Sequence, residues 1–243
     1  MFKEVEEIWS NGSAEYDKVI KYQLSDKKAV EHWKKELFDA LGRKTNLKVL
    51  DIGCGPGFFS IMLWRLGENV TSVDGAEGMI ACAKKNLEAE GVSGKVYLAD
   101  AIKLPDEKEE TYDAIVSRDV VWTLYDPEAA FSRWKELLKT GGRIIIYDGN
   151  YHYAGNSLKR TLWRYFANVL ILFTEKRVRV ERKTILNDLP FCKCKRPEKD
   201  IELLSNLGFK VLAVEKDEFR CKGLYRLKYG WQSTPFKIIA EKT

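Results

Sequence analysis

The sequence predicts an α/β fold built on a doubly wound, mostly parallel sheet of seven strands, and three observations predict it. From residue 47 onward, short β-branched runs alternate with amphipathic helical stretches, the pattern that covers both faces of a parallel sheet with helices. Glycines at 67, 91 and 141–142 each follow such a stretch, where a helix end favours a residue free to adopt positive φ. The first strand runs directly into a glycine-rich turn and then a helix, the connection that opens a ligand crevice at the carboxyl edge of such sheets.

Residues 1–46 precede the sheet and read as one or two helices, with Ile8, Trp9, Tyr16, Val19, Val30, Trp33, Leu37 and Phe38 as the apolar positions. Strands are expected at 48–52, 69–74, 95–99, 112–117 and 143–147, and helices between them at 58–66, 77–90 and 127–138. In the last of these helices Ala130, Trp134, Leu137 and Leu138 share one face. Residues 151–196 break the alternation as a long insertion after strand five, and a connection of that length usually carries function. It holds an amphipathic stretch (Leu158, Leu162, Phe166, Val169, Leu170) followed by a basic run over 176–183. A helix over 197–207, stopped by Gly208, and strands over 209–215 and 236–240 complete the seven. The expected organisation is therefore a helical lid (1–46), a ligand-binding core (47–150), an inserted cap (151–196) and the C-terminal part of the same sheet (197–243).

Composition narrows the class. Across 243 residues, 45% hydrophobic and 32% charged is an ordinary globular balance. The best apolar run, 169–173, is far shorter than the roughly 18 residues of a membrane span. Acidic residues occupy the N-terminus where a secretory signal needs a basic region and an apolar core. Five irregularly spaced cysteines suggest a reducing compartment, so a cytoplasmic location is expected. Cys192 and Cys194 form C-x-C without a second pair, so no metal site is expected. The net charge of +5 is uneven: residues 158–199 carry +8 and the remainder about −3. Such a patch suits an anionic substrate, RNA or an acidic membrane surface, or is simply a solvated face.

The chemistry concentrates at strand ends. Strand one closes in Asp51-Ile52-Gly53-Cys54-Gly55-Pro56-Gly57. The dinucleotide fingerprint would place its third glycine at 58, but Phe58 stands there, and Asp51 would repel a pyrophosphate while suiting an ammonium group. Asp74 closes strand two, where doubly wound sites place the carboxylate that accepts ribose hydroxyls. Asp100 follows strand three, placed to accept from an adenine amino group. The implied ligand has a cation, a ribose diol and an adenine, and no phosphate.

The runs DIGCGPG, SVDGAEGM, LADA, YDAIVSRD and GGRIIIYD resemble, in order, the motifs of class I S-adenosylmethionine-dependent methyltransferases with a Rossmann-like fold. The likeness covers about residues 47–150 and is most similar to the small-molecule branch typified by ubiquinone-biosynthesis and sterol C-methyltransferases. It implies S-adenosyl-L-methionine as cofactor and S-adenosyl-L-homocysteine as product. It further implies that Gly53, Gly55 and Gly57 shape the loop around the methionine moiety, and that Asp74 with Gly75 holds the ribose. Met79 would pack on the adenine, Asp100 and Ala101 would read its edge, and Arg118 would sit beside the sulfonium end. Trp9 and the pair Tyr16-Asp17 resemble the lid helix of that branch, and an insertion after strand five resembles its acceptor-pocket roof.

Displacement at a sulfonium needs mainly an aligned acceptor, and a base only where the acceptor must lose a proton. Asp148 and His152, two of the alternate positions of an extended segment after strand five, are the candidate base and its partner, and Trp122, Tyr125, Tyr151 and Tyr153 the candidate acceptor-pocket walls. The chain lacks the N-P-P-[YF] sequence of amino-directed DNA methyltransferases and the Pro-Cys pair of cytosine C5 enzymes. The resemblance to the small-molecule branch implies a small-molecule acceptor. The alternatives are an RNA methyltransferase gripping through the basic insertion, and a non-catalytic cofactor-binding partner subunit.

Overall fold

The computed structural model describes residues 2–151, 158–176, 185–230 and 234–243. Seven strands form one sheet: β1 (Lys48–Ile52), β2 (Asn69–Asp74), β3 (Lys95–Leu98), β4 (Tyr112–Arg118), β5 (Leu138–Gly149), β6 (Phe209–Lys216) and β7 (Pro235–Lys242). Their spatial order is β3-β2-β1-β4-β5-β7-β6. All neighbours pair in parallel except at β7, which is antiparallel to both β5 and β6. The strand order reverses between β1 and β4, so the crevice of an open α/β sheet falls at their carboxyl ends.

Three helices, rather than one or two, precede the sheet: α1 (Phe2–Asn11), α2 (Ser13–Ser25) and α3 (Lys27–Ala40). The extra break has a local cause, because the Asp26 carboxylate accepts from the Lys28 and Ala29 amides and caps α3. The core helices are α4 (Phe58–Arg65), α5 (Glu77–Ala89), α6 (Pro127–Leu137) and α8 (Glu198–Asn206), with α7 (Leu158–Glu175) and α9 (Gly223–Tyr229) between late strands. Helix α9 falls in a stretch whose periodicity predicts no element.

Alternation along the strands divides the core in two. Leu50, Ile52, Ile115, Ile144 and Ile146 face a cluster that includes Phe131 and Trp134 of α6 and Leu204 of α8. Val49, Val116, Ile145 and Tyr147 face Phe59 and Met62 of α4 and Trp33 and Leu37 of α3. Phe58 to Leu63 are all buried, as expected of a helix sandwiched between the sheet and α3. His32 is half-buried: its ring stacks on Phe219 at 4.1 Å, and burial lowers its pKa.

Between β5 and α8 lie α7 and two short 3-10 turns, Ile185–Asp188 and Pro190–Cys192. Leu186, Leu189 and Cys192 join Trp122 in a small apolar cluster against Val5, Ile8 and Trp9 of α1. These turns pack against helix α1. The apolar face expected at Leu158, Leu162, Phe166 and Val169 points to solvent.

Candidate active site

The turn after β1 is formed by geometry that only glycine provides cheaply. Gly53, Gly55 and Gly57 have φ of +69°, +53° and +95°. A Cβ at Gly53 would lie 2.2 Å from Val120 Cγ2. The Gly53 and Cys54 amides both donate to the Val73 carbonyl, at 2.8 and 3.0 Å, tying the loop to β2.

Each of the first three strands delivers a carboxylate to the crevice beside this loop. Asp51 is buried and accepts from Ser60 Oγ at 2.6 Å, while Ser72 Oγ donates to Ser60 Oγ at 2.9 Å. Asp74 accepts from the Gly55 amide and the Ala76 amide, each at 2.9 Å. One carboxylate thus shapes the glycine loop and the start of α5 together. Burial raises both Asp51 and Asp74 to about 6. Asp100 accepts from the Ile102 amide at 2.9 Å and from Tyr125 Oη at 2.7 Å.

Arg118, at the end of β4, lays its guanidinium over Phe58 and Phe59, 4.7 and 4.9 Å from the ring centroids, and donates to Gln23 Oε1 of α2 at 3.2 Å. Asp119 beside it has φ of +59°. It accepts from Tyr151 Oη at 2.6 Å and from Arg220 Nη1 at 2.7 Å. Burial pushes its carboxyl up, but Arg220 and Arg118 outweigh burial and hold it below the usual range.

These groups border one crevice that is open to solvent. Asp51, Gly53, Gly55, Asp74, Gly75, Met79, Asp100, Ala101 and Arg118 line it. Gly57 stands just behind, where a Cβ would strike Leu87 Cδ1 at 2.6 Å. Helices α1 and α2 close one side through Glu6, Trp9, Tyr16 and Ile20, with the Tyr16 ring above Gly55. Helices α1 and α2 are held to α5: Gly78 N donates to Ser10 Oγ at 3.2 Å, and Asn86 Nδ2 donates to Asp17 Oδ1 at 2.7 Å. A Cβ at Gly78 would meet Ser10 O at 2.6 Å, so this glycine permits the close approach of α1.

The acceptor-side expectations fare differently. Tyr125 points its hydroxyl at Asp100 and lines the same crevice. Trp122 and Tyr151 are neighbours, with ring centroids 5.1 Å apart, and Trp9 meets Trp122 edge-on at 6.2 Å. Asp148 is not placed to serve as a base. It is fully buried, accepts from the Trp122 and Gly149 amides at 3.0 and 2.8 Å, and pairs with Arg196 Nη1 at 3.0 Å. Burial raises it to about 6 despite Arg196. It organises the ends of β4 and β5 and is absent from the crevice wall. His152 and Tyr153 lie outside the described residues.

Arg220 and Arg196 carry no sequence signal: they reach Asp119 and Asp148 from 101 and 48 residues away. Gly78 could have been found, since it sits between the strand-two aspartate and Met79. Among the described residues no group of three His, Cys, Asp or Glu is arranged to hold a metal.

Residues 50–146 match the family described as "Methyltransferase domain". Phosphoethanolamine N-methyltransferase 3 of Arabidopsis thaliana is 34% identical over 117 residues, covering 47% of this chain and 23% of that protein. A ubiquinone biosynthesis O-methyltransferase of Rhizobium leguminosarum bv. trifolii is 35% identical over 100 residues, covering 41% of this chain and 39% of that protein. The chain thus spans well under half the length of these curated relatives. Among solved structures, a SAM-dependent methyltransferase from Aquifex aeolicus superposes with a TM-score of 0.60 at 18% identity, covering 93% of this chain and 98% of that one.

Proposed function

We propose that this chain, whose residues 50–146 match a methyltransferase domain, transfers a methyl group from S-adenosylmethionine to a small-molecule acceptor. One observation carries the reading: three parallel strands bring Asp51, Asp74 and Asp100 to the wall of a single crevice behind a glycine loop. S-Adenosylmethionine supplies an electrophilic methyl on a sulfonium, leaving neutral S-adenosylhomocysteine.

The donor set fits that group. Ionised Asp51 attracts an ammonium or sulfonium, and Gly53 and Gly55 present backbone without side chains to the methionine moiety. Asp74 and Gly75 stand where ribose hydroxyls would donate, Met79 offers an apolar face to adenine, and Asp100 with Ala101 offers acceptors to its edge. Arg118 suits the carboxylate end of the ligand rather than the sulfonium, because like charges repel and its partner Gln23 belongs to α2. Trp9 and Tyr16 add apolar wall on one side of the crevice.

Asp119, held ionised by Arg220 and Arg118, serves this reading as an electrostatic and positioning group for Tyr151, since a carboxylate of low pKa is a weak base. On this reading the acceptor side is the crevice margin at Asp119, Thr123 and Tyr125, with Trp122 and Tyr151 packed behind it. The relatives named for phosphoethanolamine and ubiquinone-precursor methylation support a small acceptor.

The experiment is transfer of radiolabelled methyl from S-adenosylmethionine into cell extract, separated into small-molecule, RNA and protein fractions. Label in the small-molecule fraction, absent with the Asp74→Ala variant, is the expected result. Label confined to RNA overturns the acceptor class, and cofactor binding without label in any fraction favours a non-catalytic subunit.

A further inference from the structure

Helix α7 is docked with its apolar side outward. Leu158, Leu162, Tyr165, Phe166, Val169 and Phe173 are each more than half exposed, Leu158 and Phe173 nearly four-fifths. At about 3.6 residues per turn these positions fall within roughly a third of the helix circumference, so they form one continuous stripe. The opposite side is the buried one. Ala167 and Ile171 are fully covered, and Trp163 Nε1 donates to the Leu227 carbonyl of α9 at 2.9 Å. Glu175 forms a buried ion pair with Lys228 and accepts from Tyr229 Oη at 2.6 and 2.7 Å.

Charge identifies the partner. Glu175 is the only acid in α7, and its pairing with Lys228 removes it from the surface. Exposed Lys159 borders the stripe, Arg164 lies over the Tyr165 ring at 5.6 Å, and exposed Lys176 follows the last turn. The sequence continues through 177–183 with four bases and one acid. A stripe of leucine, phenylalanine and tyrosine flanked by cations is the composition of a helix that lies in a bilayer interface. Its apolar side chains enter the acyl boundary while its cations meet anionic head groups. Two copies pairing through this stripe would bring like charges together. A nucleic acid would use the cations but leave the stripe in water.

We infer that α7 is an interfacial helix that holds the protein on anionic lipid surfaces. It lies on the bilayer rather than across it, since no helix among the described residues is long and apolar enough to cross a membrane. The connections containing α7 and α9 leave the sheet at the carboxyl end of β5 and the amino end of antiparallel β7. That edge of the sheet also carries the crevice.

The test is flotation of the whole protein with vesicles of equimolar phosphatidylcholine and phosphatidylglycerol, against vesicles of phosphatidylcholine alone. Expected is at least about tenfold stronger partitioning to the anionic vesicles, weakened by added salt. The Leu162→Glu/Phe166→Glu variant should lose at least about tenfold of it while keeping its circular dichroism and melting midpoint, because both side chains are exposed. Replacing Lys159 and Lys176 by serine should weaken partitioning while sparing the stripe. Equal recovery from both vesicle types overturns the inference, as does undiminished binding by the Leu162→Glu/Phe166→Glu variant. Self-association lost in that variant without vesicle binding would assign the stripe to a second copy. RNA binding unaffected by it would assign the cations to nucleic acid.

Discussion

Neutralising Asp51 should strengthen the fold and weaken the cofactor site at once. Its carboxyl is 1% exposed, and burial raises it from 3.8 to about 6 even though Ser60 donates to it and Arg118 is near. The folded protein therefore holds this proton more tightly than the unfolded chain. Its contribution to stability is complete below pH 3.8 and lost as pH rises through about 6. At roughly 1.4 kcal/mol per pH unit, that loss amounts to about 3 kcal/mol. The Asp51→Asn variant keeps an acceptor for Ser60 Oγ but has no proton to lose. Between pH 4 and pH 7, its unfolding free energy relative to the native chain should therefore rise by about 2–3 kcal/mol. The assay is urea unfolding of both proteins at several pH values without ligand, with calorimetry of S-adenosylmethionine binding at neutral pH. Binding should weaken by about tenfold, the loss of one buried charge contact. A stability difference that stays constant with pH would refute the assignment of buried-charge cost to Asp51.

Three further outcomes follow from the same geometry. Asp74→Ala removes the acceptor of the Gly55 and Ala76 amides and should weaken S-adenosylmethionine binding by at least about tenfold, measured by calorimetry on protein whose circular dichroism is native; unchanged affinity would dissociate this carboxylate from the site. Gly53→Ala places a methyl 2.2 Å from Val120 Cγ2 at a φ of +69°, so denaturant unfolding should register a loss of about 2–4 kcal/mol, and an unshifted midpoint would mean the loop moves freely. Arg196→Met strands Asp148 and Asp200 in the core without their cation and should cost about 3–5 kcal/mol, with partial recovery when Asp148→Asn is added; equal stability of the single variant and the native protein would show that the pair is not buried in solution.

What the sequence made legible was local. Asp51, Asp74 and Asp100 each terminate a β-branched run, and strand ends in a parallel sheet converge on one edge whatever the side chains elsewhere do. Gly53, Gly55 and Gly57 are readable for the same reason, because a strand-to-helix turn of that tightness needs positive φ. Periodicity could identify α7 as amphipathic but not which side it buries, and the tie between Glu175 and Lys228 of α9 decided that. Asp148 shows the same limit. Its position after strand five suggests chemistry, yet its surroundings come from Arg196, and only the fold brings that residue near. Arg220 beside Asp119, and Phe219 beneath His32, are likewise products of the C-terminal strands folding back across the end of the sheet.

The central claim is that the crevice bordered by the three strand-end aspartates takes S-adenosylmethionine. Isothermal titration of the purified chain with S-adenosylmethionine, repeated with S-adenosylhomocysteine, tests it most directly. Saturable binding at a single site by both ligands, weakened in the Asp74→Ala variant, is the predicted result. No heat and no thermal stabilisation from either ligand, with the protein folded, would contradict the account.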